Sequence, residues 1–298
     1  MQRILEANWQ DHLLSSILRG QFMMSRDLAL GTYHRQFSSI LNSENLYRDN
    51  LQYLESIPVK AYDGDEEYVA ENLKEKESQV IVLPVKGAML KYGTWWSYGM
   101  DEIAHYIKHF ASKDNVSAIV LDIDSGGGAV NAIPPLLEAI SFVKALNKPI
   151  VAHCDSACSA AYWTAAACDH IFANNTVSSI FGSIGTMLSY LDIIPYYEKE
   201  GAKYHEVYSD HSSDKNSASQ KLREGEYDQI KEEMLNPMAI QFQNAVKSAR
   251  PNLKLDTPGI LTGATYPGQK AIDIGLVDKI GTLKDAINYA SAQAWARN

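Results

Sequence analysis

The chain has 298 residues, 46% hydrophobic and 21% charged, with a net charge of −9, the make-up of an ordinary globular chain with room for one large domain or two modest ones. Acidic balance without a basic stripe excludes a nucleic-acid binder, because a phosphate backbone needs a cationic face. No stretch reaches the roughly 18 unbroken apolar residues of a membrane helix. The start carries Glu6, Asp11 and His12 where a secretory signal would be apolar, so no membrane anchor is expected and the expected location is cytoplasmic.

Residues 1–57 are expected to form a helical arm. Leu13, Leu14, Ile17, Leu18, Phe22 and Met23 recur at helical spacing, and a second helix is expected over 35–54. Residues 58–78 (with DGDEEYVAENLKEKES) are acidic and polar and read as a linker. The main domain is placed at 79–298. It opens with a β-rich run, 80–89, broken at Gly87, followed by an amphipathic helix over 99–111 with Ile103, Ile107 and Phe110 on one face. Residues 118–123 are almost continuously apolar, as in a parallel strand covered on both faces. A triple glycine, Gly126 to Gly128, follows as a tight turn. A helix over 133–146 tolerates Pro134 and Pro135 only in its first turn.

Further strands are expected at 150–153, 170–173, 187–191 and 202–208, with helices at 157–167, 194–201, 221–249 and 282–294. Strands alternating with helices at this spacing indicate an α/β fold with a parallel sheet. Cys154, Cys158 and Cys168 lie in one apolar stretch at spacings that suit no metal site. They read as buried thiols, and neither a metal nor a cofactor is expected.

Two small-residue turns stand out, DIDSGGGAV and DSACSAAYW. Covalent amide hydrolysis needs a nucleophile, a base and donors for the oxyanion. Ser159 falls where a strand passes into a helix, whose first N–H groups face a reacting carbonyl. The glycines allow close backbone approach. Each has a plainer reading: a helix-capping or buried hydroxyl for Ser159, a packing turn for the glycines, and Ser156 as the helix cap. The nucleophile-elbow pattern GxSxG is absent. The base is either one of His153, His170, His205 and His211, of which the first two read as core histidines, or a lysine held neutral by burial.

In order and spacing, DIDSGGGAV, SACSAAYWTAAACD, SSIFGSIG and AIDIGLVDKIG resemble the signal peptide peptidase A family of serine–lysine peptidases, over residues 79–290. The resemblance implies a ClpP/crotonase-like repeated β-β-α superhelix with a parallel sheet. It implies Ser159 as nucleophile, with two alanines where the family has glycines. The base would be Lys215 in the loop VYSDHSSDKNSAS, with Lys203 and Lys221 as rivals. Ser183 of GSIG would support the lysine, and Gly127 and Ala160 would be the oxyanion donors. Gly126, Gly128, Ile180 and Met187 are expected to line the substrate site, the last two in an apolar stretch with Phe181 and Leu188.

The resemblance further implies a peptide or unfolded-protein substrate and a homo-oligomer, with the arm and the 221–249 helix as subunit contacts. A single peptidase unit with an arm in place of an anchor is similar to the phage-encoded branch. That points to phage head or scaffold proteins as partners, and to the bacterial host cytoplasm or the procapsid as location. Three alternatives stay open: a degradative cytosolic peptidase, an inactive assembly protein of the same fold, and a crotonase-like acyl-CoA enzyme.

Overall fold

The computed structural model describes residues 21–24, 57–64, 66–69, 78–94, 97–190, 192 and 194–297. Its strands in chain order are β1 (Gln21–Met24), β2 (Lys60–Asp63), β3 (Glu66–Val69), β4 (Gln79–Lys86), β5 (Val116–Ser125), β6 (Gly127–Ala129), β7 (Ile150–Cys158), β8 (His170–Ala173), β9 (Ile180–Gly182), β10 (Met187–Leu188), β11 (Thr265–Pro267) and β12 (Lys279–Ile280). The main helices are α1 (Met100–Ala111), α2 (Ile133–Ala145), α3 (Ala160–Ala166), α4 (Ile194–Lys199), α5 (Ser217–Arg223), α6 (Asn236–Ala249), α7 (Gly268–Asp273) and α8 (Leu283–Arg297).

The α/β class stands. The main sheet runs β11-β9-β7-β5-β4-β2-β3. Its centre, β4-β5-β7, is parallel, and its two ends close with antiparallel pairs. Ile119, Val120 and Leu121 of β5 are all fully buried, because both faces of the sheet are covered. One face packs on α1, α2, α3 and α6, through Ile103, Ile107, Leu136, Ile140, Phe242 and Val246. The other packs on α8, through Val82, Val120, Val151 and Phe172 against Ala286, Ile287 and Ala290. As expected, Pro134 and Pro135 sit in the first turn of α2, where no intrahelical N–H is lost.

At β7 the sheet forks. The first half of the strand pairs with β8 and the second half with β9. Asn174 fills the fork, its N–H donating to the Cys154 carbonyl (2.9 Å) and its side-chain amide to Asp155 Oδ1 (2.5 Å). The fork carries Cys158 and Ser159 out to the sheet's carboxyl edge.

Several expectations change. Gln21–Met24, inside the stretch whose spacing predicts a helix, is a strand; the rest of 1–56 lies outside the described residues. Within the expected linker, β2 and β3 form a hairpin that extends the sheet beside β4. Residues 202–208 form no strand: they are exposed or nearly so and no neighbouring strand pairs with them. The helix expected over 221–249 is broken after α5 by Gly225, at φ +83°, and by a π-helical turn over Lys231–Leu235 before α6.

The carboxyl-terminal third is locked to the sheet by Arg250 and Asp278. The guanidinium makes two bonds to the carboxylate (2.7 and 2.9 Å) and one to the Gly275 carbonyl, and Ile171 N–H of β8 donates to the same carboxylate at 2.8 Å. Burial pushes the Asp278 carboxyl up, but the bonds and charge of Arg250, with the Ile171 N–H, hold it below the usual carboxylate range. A depressed folded-state value contributes stability that is complete above the unfolded value of about 3.9 and lost as pH falls through the folded one. Urea unfolding between pH 6 and 2 is expected to show this acid loss. Asp278→Asn is expected to cost about 2 kcal/mol at pH 7 and to flatten the acid limb; equal acid sensitivity in both proteins would remove the pair from the account.

Candidate active site

Ser159 is the first residue beyond β7 and lies immediately before α3. Its backbone is at φ +55°, ψ −121°, a region costing roughly 1–3 kcal/mol for a residue with a Cβ and persisting only where the surroundings impose it. Here they do: Ser159 N–H donates to the Gly182 carbonyl of β9 (2.8 Å), and its carbonyl accepts the Trp163 N–H (3.0 Å). The residue is 1% exposed and its hydroxyl makes no helix-capping bond. The capping reading therefore fails for Ser159. It fails for Ser156 too, which lies inside β7 opposite Asp124 and Ile180. The local motif lacks GxSxG, yet the sharp strand-to-helix turn that motif encodes is present.

Ala160 opens α3, so its N–H belongs to the helix-initial set without intrahelical acceptors. Helix α3 is anchored behind the turn. Tyr162, fully buried, donates its hydroxyl to the Leu276 carbonyl (2.8 Å), and Trp163 stacks on Phe242 with ring centroids 4.8 Å apart. These two aromatics carry no role in a reading of the motif alone.

The glycine stretch is an extended strand rather than a tight turn. β6 lies against α3 and bridges Met89 along one edge. Met89 N–H donates to Gly127 O (3.0 Å) and Ala129 N–H to Met89 O (2.8 Å). A Cβ on Gly128 would stand 2.0 Å from the Met89 carbonyl oxygen, which explains the glycine there. Gly127, at φ +104°, directs its N–H to Ser125 Oγ (3.1 Å), and Ser125 in turn donates to the Gly87 carbonyl. Ser125, which sequence reasoning passes over, thus fixes the glycine strand. Gly126 is buried in the link from β5.

The GSIG segment meets the serine turn directly, since Gly182 accepts the Ser159 N–H. Ser183 is half-buried at φ +54°, and its N–H donates to the Ala264 carbonyl at 2.7 Å. Thr186 Oγ1 donates to the Leu235 carbonyl of the π-turn. Met187 and Leu188 form β10, half-buried. Ile180 is exposed at the far end of β9, whereas Phe181 is fully buried in the core.

Lys215 is exposed in the loop before α5, its N–H closing a turn on the Ser212 carbonyl (3.1 Å). That loop is tied to α5 by a Glu206–Arg223 ion pair and by Asn216 donating to the Tyr208 hydroxyl. Among the described residues no hydrogen bond or ion pair joins Lys215 to Ser159 or Ser183. Lys203 and Lys221 are exposed as well. His205 and His211 are exposed, and His153 is a core residue bonded to Asp122 (3.1 Å) on the α8 side of the sheet. His170 lies against Tyr289 of α8. The cysteines are buried and free. Burial pushes the Cys158 thiol up to about 11, Cys168 to about 12 and Cys154 well above its ordinary value, the opposite of what a nucleophilic thiolate needs. Among the described residues there is no acid–His–Cys cluster able to hold a metal, and no helix long and apolar enough to cross a membrane.

The profile of peptidase family S49 matches residues 143–297, which include the serine turn, GSIG and the Lys215 loop. The chain is similar to the putative signal peptide peptidase SppA of Enterococcus faecium, 28% identical over 240 residues, 77% of this chain and 68% of that protein. It is also similar to capsid assembly protease C of Escherichia phage lambda, 28% identical over 251 residues, 80% of this chain but 55% of the phage protein. It thus spans little more than half of that relative's length. Among solved structures it resembles the 1510-N membrane-bound stomatin-specific protease in complex with a substrate peptide, at 12% identity and a TM-score of 0.42, covering 72% of this chain and 81% of that one.

Proposed function

Because the chain belongs to peptidase family S49, we propose that it is a serine endopeptidase with Ser159 as nucleophile and Lys215 as general base. The observation that carries the assignment is the Ser159 backbone, at φ +55° with its N–H tied to Gly182 and its hydroxyl spared from capping. Such an outlier is a reason to look for function, because a merely structural serine gains nothing from the strain.

In this reading Ser159 Oγ attacks the scissile carbonyl and passes its proton to the Lys215 amine. The oxyanion is held by the Ala160 N–H and by the Gly127 N–H, which exchanges Ser125 Oγ for it. Collapse of the tetrahedral adduct expels the amine half of the substrate, which takes the proton from Lys215. Water, deprotonated by the same lysine, then cleaves the acyl-enzyme. A lysine serves as base only when neutral, and withdrawal from water favours the neutral form. The exposed loop bearing Lys215 therefore closes over the Ser159 turn in the working enzyme, with Ser183 as the hydroxyl that receives the lysine.

The substrates are extended or unfolded protein segments. Similarity to a phage capsid assembly protease supports head or scaffold proteins as targets, cut by a homo-oligomer during maturation. The test is incubation of the full chain with candidate head proteins and an unselective peptide library, followed by mass spectrometry. New termini are expected in the head-protein arm. Cleavage confined to the library would favour the degradative alternative, and intact material in both arms would favour an inactive assembly protein.

A further inference from the structure

Strand β1 belongs to a second, three-stranded antiparallel sheet of order β10-β1-β6. Its register is explicit. Gln21 and Phe22 pair with Leu188 and Met187, while Phe22, Met23 and Met24 pair with Ala129, Gly128 and Gly127. Both partners belong to the proposed active site: β6 is the glycine strand, and β10 follows GSIG. Among the described strands β10 pairs with β1 alone, and the other edge of β6 is held by Met89. Without β1, two rails would stand two inter-strand spacings apart, about 9.5 Å, the width of one extended chain. A gap of that kind between two unpaired edges is filled by strand addition, with main-chain bonds supplying the affinity.

We propose that Gln21–Met24 is a cis-acting pseudosubstrate, the chain's own occupant of an extended-peptide slot between β6 and β10. This rests on the peptidase reading for its consequence, not for its geometry. The carboxyl end of β1, Met24, lies opposite Gly127, the strand position assigned to the oxyanion. A segment of sequence QFMM defines the ligand class as an extended, largely apolar peptide running antiparallel to both rails. The Gly127 N–H is engaged by Ser125 Oγ, so the donor required at a bound carbonyl is turned aside and the strand is held rather than cut. Substrate must displace β1 before it can pair with β6.

Two measurements on the full chain test this. Phe22→Cys with Met187→Cys places thiols on paired Cα positions of an antiparallel ladder, within disulfide reach. Oxidation is expected to give that crosslink by peptide mapping, to lower hydrolysis of an apolar fluorogenic peptide at least about tenfold, and to be reversed by dithiothreitol. Phe22→Pro with Met23→Pro removes two strand donors and expels β1. The apparent KM for the same peptide is then expected to fall about tenfold with kcat unchanged, the pattern of a removed competitor. Failure of the crosslink to form overturns the occupancy. A crosslink with hydrolysis unaltered by locking or by the prolines overturns the inhibition. A crosslink in a chain that cleaves nothing, prolines included, upholds the occupancy and overturns the peptidase reading instead.

Discussion

Ser159→Ala is expected to abolish peptide hydrolysis, by about 10⁴-fold or more in kcat, while leaving the fold intact. Loss of a serine nucleophile removes the covalent route altogether, and what survives is the modest rate from oxyanion donors and binding. The substitution trims one oxygen from a residue whose hydroxyl caps no helix. Its backbone bonds to Gly182 and Trp163 are available to alanine, although the φ of +55° remains a strain for any side chain. The melting curve should accordingly move little. Lys215→Ala is expected to match it in activity, because two residues acting as one unit are not additive. Lys203→Ala and Lys221→Ala are expected to keep activity. Steady-state hydrolysis of one peptide by the four variants decides among the lysines, and full activity in Lys215→Ala would pass the role to a rival.

Gly128→Ala is the second large effect. The added methyl would sit 2.0 Å from the Met89 carbonyl oxygen and 2.6 Å from Met89 N and C. None of these atoms can step aside, because Met89 is bonded through both its N–H and its carbonyl to the same strand. The strand must shift instead. Overpacking of this kind costs about 3 kcal/mol, and a displacement of about 1 Å beside the reacting carbonyl costs about 10²-fold in rate. Gly87→Ala is the control: its Cβ would meet nothing within 4 Å and pays only for φ +73°, about 1 kcal/mol. Urea denaturation with peptide hydrolysis on both variants separates the two costs. A Gly128→Ala enzyme as stable and active as the Gly87 variant would contradict the close approach of β6 to Met89.

What the sequence made readable follows from which physical signals side chains carry. The central strands were legible because they are covered on both faces, so 80–85 is apolar throughout and 118–123 apolar but for Asp122. Helices α1 and α2 were legible from apolar residues at helical spacing. The β2-β3 hairpin was missed because its strands are short and carry charges at their ends; Gly64, at φ +57° in its two-residue turn, was the available signal. Strand β6 was missed because glycines carry no alternation to read. Residues 202–208 have the composition of a strand, but pairing needs a neighbour, and none is supplied. In β1 the spacing of Phe22 and Met23 suits a helix, whereas two open rails impose an extended backbone.

At the site, Ser159 was singled out from its position and its motif resemblance. The reason it is unusual, a left-handed backbone held by a neighbouring strand's carbonyl, lies in tertiary contacts that no local pattern encodes. Ser125 and Tyr162 escaped for the same reason. Each acts on a backbone group far along the chain, Ser125 on Gly87 and Tyr162 on Leu276.

The most direct test of Ser159 as an activated nucleophile is labelling of the full chain by a fluorophosphonate, with the modified residue located by peptide mapping. Because β1 occupies the gap between β6 and β10, the labelling is run on the wild type and on the Phe22→Pro/Met23→Pro variant. A single adduct on Ser159 is expected, formed faster in the proline variant and lost in Ser159→Ala and Lys215→Ala. An adduct on another residue, or none on Ser159 in the proline variant, would contradict that role.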